Sequence, residues 1–181
     1  MQATPKLAHI VLMTNRLEEM RDWYATVLGA HVVYENPGLC FMTFDDEHHR
    51  IAFVAPPVPL TPRTPTTACM HHSAYSFAAL RDLLEGYAHL KAAGIEPLTP
   101  IQHGVTTSLY YRDPDGNEVE LQVNNFATAE ECKAYFKSPE YCANPIGNSF
   151  DVELFVKGYR AGRPFEDIMQ EAVAAAKIEQ A

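Results

Sequence analysis

Apolar and polar positions alternate with two different periods along this chain, and the change of period marks the elements. Leu7–Met13 reads as a strand, with His9, Val11 and Met13 on one face and Ile10 and Leu12 on the other. Asn15 with Glu18 is spaced as a capping box. Leu17, Met20, Tyr24, Val27 and Leu28 then form a helical apolar stripe that Gly29 is suited to end. Strands are expected near 31–36, 39–45 and 50–55, with DDEHH as the turn between the last two.

The same succession begins again at about Met70. CMHHSAYSF reads as a strand, and AALRDLLEGYAHLKAAGI as a helix ending near Gly94. Strands at 106–112 and 118–123 are joined by the strong turn Asp113-Pro114-Asp115-Gly116-Asn117. Both halves thus run strand, helix, several short strands, which is the signature of an internal repeat. Residues 56–67, PPVPLTPRTPTT, connect them, because proline cannot donate to a strand ladder. Beyond Asn124 the repetition stops. Thr128 and Glu131 form a second capping box before a short helix near 129–137, NPIGN at 144–148 reads as a loop, and 165–178 as a terminal helix. This tail has no counterpart in the first half, and lid, subunit contact and appendage all stay open for it.

The repeat changes how three polar residues are read. Taken singly, His9 and His72 are satisfied core or rim histidines, and Glu120 is a solvated strand residue. Superposing H9-I-V-L on H72-S-A-Y puts the two histidines at one position, the start of the first strand of each half. Superposing R50-I-A-F-V on E118-V-E-L-Q puts Glu120 opposite Ala52. Three of four equivalent positions therefore carry metal-ligand side chains and the fourth a methyl group. Two imidazoles and a carboxylate can hold a divalent ion on one side and leave its other positions open, as in non-haem Fe(II) oxygenases. An ortho-diol would use two of about three open positions and dioxygen the third; a fourth protein ligand would instead suit polarisation of an enediolate.

The remaining histidines are weaker candidates. His71 faces the side opposite to His72, since strand neighbours alternate. His48 and His49 read as solvated turn residues, His89 as a helix-surface residue, and His31 carries no spacing signal. Two groups lie where they could move protons. Tyr110 is on the strand paired by the hairpin with that of Glu120, and His103 is in the loop leading into it. The alternatives are an aromatic wall for Tyr110 and an ordinary loop residue for His103. Phe41, Phe44, Phe53 and Tyr111 are assigned to the core by default.

Charge and cysteine content narrow the setting. A formal net charge of −9 argues against nucleic acid as a partner, which requires a basic footprint. The four cysteines form no CxxC pair and read as structural thiols. No apolar run approaches a membrane span, and MQATPKLAH lacks the form of a signal peptide, so a cytoplasmic protein with no membrane partner is expected.

The repeat, the HIVL and HHSAYSF strands, and above all SLYYRDPDGNEVELQVNNF resemble the vicinal oxygen chelate superfamily, over residues 6–124. That family includes glyoxalase I, methylmalonyl-CoA epimerase, bleomycin- and fosfomycin-resistance proteins and type I extradiol dioxygenases. The hairpin and tail are most similar to its small single-domain extradiol (biphenyl-2,3-diol or catechol) dioxygenases. The resemblance implies an α+β fold of two βαβββ modules, 6–55 and 70–124, in a pseudo-two-fold arrangement. Their sheets would form an open, barrel-like metal cavity. The linker is then 56–69, the chelate domain 1–124 and the C-terminal helical extension 125–181. Carried onto this chain, the resemblance implies His9, His72 and Glu120 as the metal ligands, Tyr110 and His103 as catalytic residues, and a homodimer. The leading expectation is an extradiol dioxygenase that uses Fe(II), or Mn(II), to cleave a small aromatic diol with O2. The alternatives are a lyase or isomerase of glyoxalase or epimerase type on Zn(II), Ni(II) or Co(II), and a non-catalytic small-molecule binding or resistance protein.

Overall fold

The computed structural model describes residues 3–64 and 66–179. Residues 1, 2, 65, 180 and 181, which belong to the expected domain, linker and extension, lie outside the described residues. The chain forms two compact units, Met1–His71 with Arg112–Asn117, and His72–Tyr111 with Glu118–Ala181.

In the first unit, β1 (Ile10–Met13), α1 (Leu17–Leu28), β2 (His31–Asn36), β3 (Leu39–Thr43) and β4 (Ile51–Val54) build one open sheet of order β1-β4-β3-β2. β1 runs parallel to β4, with Val11 opposite Ala52, and the other pairs are antiparallel. Of the predicted helical stripe, Met20, Tyr24 and Val27 are buried together with Cys40, Met42, Ile51 and Phe53 of the sheet, and Leu17 and Leu28 are half-buried. The Tyr24 and Phe53 rings meet at 5.2 Å. Each such side chain contributes roughly 1.5–3 kcal/mol by leaving water. Gly29 ends α1 in the left-handed conformation, φ 63°, as expected.

Two local expectations are corrected here. The first strand begins at Ile10 rather than Leu7, so His9 stands just before it. The Arg50 guanidinium takes the Leu7 and Ala8 carbonyls at 2.9 and 3.0 Å, so those groups are satisfied outside the strand ladder. Asn15 does not cap α1; the cap is Arg16, without a side-chain bond. The Asn15 amide instead donates to the Val58 carbonyl at 3.1 Å and accepts from the Leu60 N–H at 2.6 Å. A side-chain amide can both donate and accept, which suits the backbone of a Pro-rich linker.

The predicted turn at 113–117 is held by Asp113. Its carboxylate accepts from the Asp115 and Asn117 backbone N–H groups, the Asn117 amide and the Tyr24 hydroxyl. Gly116 supplies the positive φ the turn needs, at 85°.

The second unit repeats the order of elements. β5 (His72–Phe77), α2 (Leu80–Ala92), β6 (Thr99–Gln102), β7 (Thr106–Arg112) and β8 (Glu118–Asn124) form an open sheet of order β5-β8-β7-β6, with β5 parallel to β8. The chain continues as α3 (Ala129–Tyr135), α4 (Pro139–Ala143), β9 (Asn148–Ser149), α5 (Val152–Arg160) and α6 (Phe165–Glu179). The Thr128–Glu131 capping box is present, and α6 matches the predicted terminal helix. β9 pairs with β6, so the end of the expected 144–148 loop joins the sheet edge. α4 and α5 were not expected from the sequence. α5 carries a readable signal: Asp151 accepts from the Leu154 N–H at 3.0 Å, and Phe155 and Val156 are buried. Among the described residues, no helix is long and apolar enough to cross a membrane.

Candidate metal and substrate site

β8 presents Glu120 beside β5 and β7. In the β5–β8 register Ala74 faces Glu120, and in the β1–β4 register Val11 faces Ala52. Each histidine thus stands two residues before the partner of the superposed Glu120/Ala52 position, so the two modules share one register. Ala52 is itself buried, 2% exposed, and brings no ligand atom.

Glu120 is buried, and the His72 Nε2 lies 3.1 Å from its Oε2. A buried carboxylate needs a charged or hydrogen-bonded partner. A separation of 3.1 Å is also that of two neighbouring donors on the shell of one ion at roughly 2.0–2.2 Å from each. Imidazole nitrogen and carboxylate oxygen are the donors a divalent transition metal takes. On donor chemistry and spacing, the pair fits a metal.

Tyr110 completes this side. Its ring meets His72 edge-on at 5.3 Å, and its hydroxyl lies 3.0 Å from the His103 Nε2. Burial first, then the charge of Glu120 and a hydrogen bond to it, raise the Tyr110 pKa well above the ordinary phenol value. Tyr110 is therefore a protonated donor at neutral pH. Neighbouring Tyr111 faces away, fully buried, with its own pKa raised by burial.

His9 belongs to the first unit and is exposed there. Its ring packs on His49 at 4.2 Å, and His49 stacks on Phe41 at 4.8 Å and 14°. His49 is thus half-buried within an aromatic stack rather than solvated in its turn, and burial, then His9 and His48, lower its pKa. His48 stays exposed, its Nδ1 2.6 Å from that of His49. His31, His71 and His89 are exposed. Of the default core aromatics, Phe53 and Tyr111 are buried, Phe41 is half-buried and Phe44 is exposed. Among the described residues, no group of three or more His, Cys, Asp or Glu side chains is gathered as a metal cluster. The structure brings together His72, Glu120, Tyr110 and His103, and describes His9 within its own unit.

Glu120, Tyr110 and His103 line a cavity of about 400 Å³, within the range usual for small-molecule sites. The tail also contributes to its lining, through Cys132, Phe136, Tyr141 and Pro145. The sequence alone leaves the role of this segment open. The signal available was the aromatic run Phe126, Tyr135, Phe136 and Tyr141.

Comparison with known proteins agrees with this architecture. The family model described as Glyoxalase/Bleomycin resistance protein/Dioxygenase superfamily matches residues 6–121. The chain is 60% identical over 174 residues to Biphenyl-2,3-diol 1,2-dioxygenase 2 of Rhodococcus globerulus, covering 96% of this chain and 92% of that protein. It is 53% identical over 181 residues to Biphenyl-2,3-diol 1,2-dioxygenase 3 of the same organism, covering 99% and 95%. Among solved structures, a glyoxalase/dioxygenase from Nostoc punctiforme superposes with a TM-score of 0.56 at 20% identity, over 67% of this chain and 92% of that one. Lactoylglutathione lyase from Agrobacterium tumefaciens gives 0.54 at 18% identity, over 67% and 96%. At these identities the structural likeness is one of fold.

Proposed function

The chain belongs to the glyoxalase/bleomycin resistance protein/dioxygenase superfamily, and within it we propose that it is a metal-dependent extradiol dioxygenase cleaving a catechol-type aromatic diol with O2. The observation that carries this reading is the contact of buried Glu120 with His72, where Glu120 shares one cavity with the Tyr110–His103 pair. The likeness to two biphenyl-2,3-diol 1,2-dioxygenases along nearly the whole chain supports it. So does buried Ala52, which leaves no fourth ligand at the position equivalent to Glu120.

In this reading His9, His72 and Glu120 would hold Fe(II), with Mn(II) as a substitute. The ion would supply acidity to the diol and a path for electrons from diolate to oxygen. The protein's own groups do the rest. Tyr110 keeps its proton and donates to an oxygen of the bound diol. His103, at 3.0 Å from that hydroxyl, accepts a proton as the diol ionises and returns it when the ring opens. Both atoms of O2 end in the ring-opened product, and no external reductant is consumed. The chelate domain is 1–124 and the extension 125–181. A cytoplasmic homodimer is part of the same proposal; the free cysteines agree with a reducing compartment, and pairing of subunits is common in the family.

The test is isotopic. Turnover of a catechol under 18O2 is expected to give a yellow product carrying two labelled oxygens. A product without label would overturn the dioxygenase reading in favour of lyase or isomerase chemistry.

A further inference from the structure

We propose that the segment 129–145 is the wall that recognises the ring substituent of the diol, so that Phe136 and Tyr141 select aryl-substituted diols over catechol itself. The inference rests on the dioxygenase reading for the identity of the ligand. Its own evidence lies in which side chains share the cavity.

Glu120, Tyr110 and His103 give the cavity polar groups able to meet hydroxyl groups. Phe136 and Tyr141, from the tail, line the same cavity with aromatic side chains. A ligand that satisfies both sets has a hydroxylated edge and an apolar part. Phe136 is 45% exposed although it is large and apolar. Its ring meets Tyr141 edge-on at 4.9 Å, so the two form one aromatic surface facing the cavity.

The wall is fixed rather than loose. Thr128 and Ser138 cap the two short helices. Tyr135 packs so closely on Gly104, next to His103, that a Cβ there would fall on its ring. Beyond the helices, a Cβ at Gly147 would overlap the Gln102 backbone, and β9 pairs with β6. The segment is therefore pinned at both ends to the strand and loop that carry His103. A preorganised apolar wall discriminates substituents by contact area, typically about 10–200-fold for small differences in apolar size.

The probes are 2,3-dihydroxybiphenyl and catechol, titrated anaerobically by calorimetry into the Fe(II)-loaded protein. The parent is expected to bind the biphenyl diol more tightly, and Phe136→Ala to lower the ratio of the two affinities at least about tenfold. Tyr141→Leu should lower it in the same direction, and Ile178→Ala, on the exposed end of α6, should leave it alone. A parent without preference, or ratios in both cavity variants within about twofold of the parent's, would overturn the proposal. Selective binding without oxygen consumption would uphold the wall and overturn the dioxygenase activity. Binding of neither diol would overturn both.

Discussion

The Tyr110 hydroxyl lies 3.0 Å from the His103 Nε2 and also reaches the Glu120 carboxylate, so one phenol connects a candidate proton carrier to a candidate metal ligand. The link depends on local geometry. β7 carries Tyr110, the loop before it carries His103, and the close packing of Gly104 against Tyr135 holds that loop. His72, Glu120, Tyr110 and His103 are therefore positioned within a single unit.

Tyr110→Phe removes the hydroxyl and keeps the ring. The variant is expected to retain metal and fold while kcat falls about 100-fold, the usual size of a positioned proton donor. Steady-state kinetics with metal analysis checks this. Unchanged kcat would make Tyr110 a wall residue.

Glu120→Ala removes the carboxylate that lies 3.1 Å from the His72 Nε2. Metal retention through a chelator challenge is expected to fall at least about 100-fold, beyond what loss of an outer hydrogen-bonding partner costs. The circular dichroism should stay near that of the parent. Parent-like retention would remove Glu120 from the ligand set.

Asp113→Ala tests the turn of the second-module hairpin. The buried carboxylate accepts four hydrogen bonds, including the Tyr24 hydroxyl. Its loss is expected to destabilise the protein by roughly 2–4 kcal/mol through donors left unsatisfied, read as a lower urea midpoint. A midpoint equal to the parent's would show that the turn holds itself.

Glu153 gives a pH dependence with a definite sign. Hydrogen bonds from Lys91 and then Tyr87 hold its carboxyl below the ordinary value of 4.5. Its folded pKa is thus lower than its unfolded one. The stabilisation is complete above the unfolded value and disappears as pH falls through the folded one. The stability difference between the parent and Glu153→Gln is therefore expected at about pH 7 and should vanish once the pH falls below the folded value. It should also shrink with added salt, since the pair is exposed. A difference that persists at low pH would assign it to packing.

Much of the site was legible because strands have a period of two and the modules repeat. Aligning His9 with His72, and Ala52 with Glu120, needs only the sequence, and the registers Val11–Ala52 and Ala74–Glu120 reproduce that alignment. Tyr110 and Tyr111 were separable by the same alternation, and the first lines the cavity while the second is buried away from it. What failed depended on partners distant in the chain. Asn15 has the spacing of a cap, but the linker competes for its amide. His49 sits in a polar turn, but Phe41 and His9 draw it into a stack. The cavity wall at Phe136 and Tyr141 was hidden because the tail lies outside the repeat, so no symmetry argument reached it.

The most direct measurement is oxygen uptake by the protein reconstituted anaerobically with Fe(II), on a panel of catechols that includes 2,3-dihydroxybiphenyl. One O2 consumed for each diol, with a yellow ring-opened product, is the predicted result. Absence of uptake across the panel, with iron demonstrably bound and the diols shown to bind, would contradict the dioxygenase account.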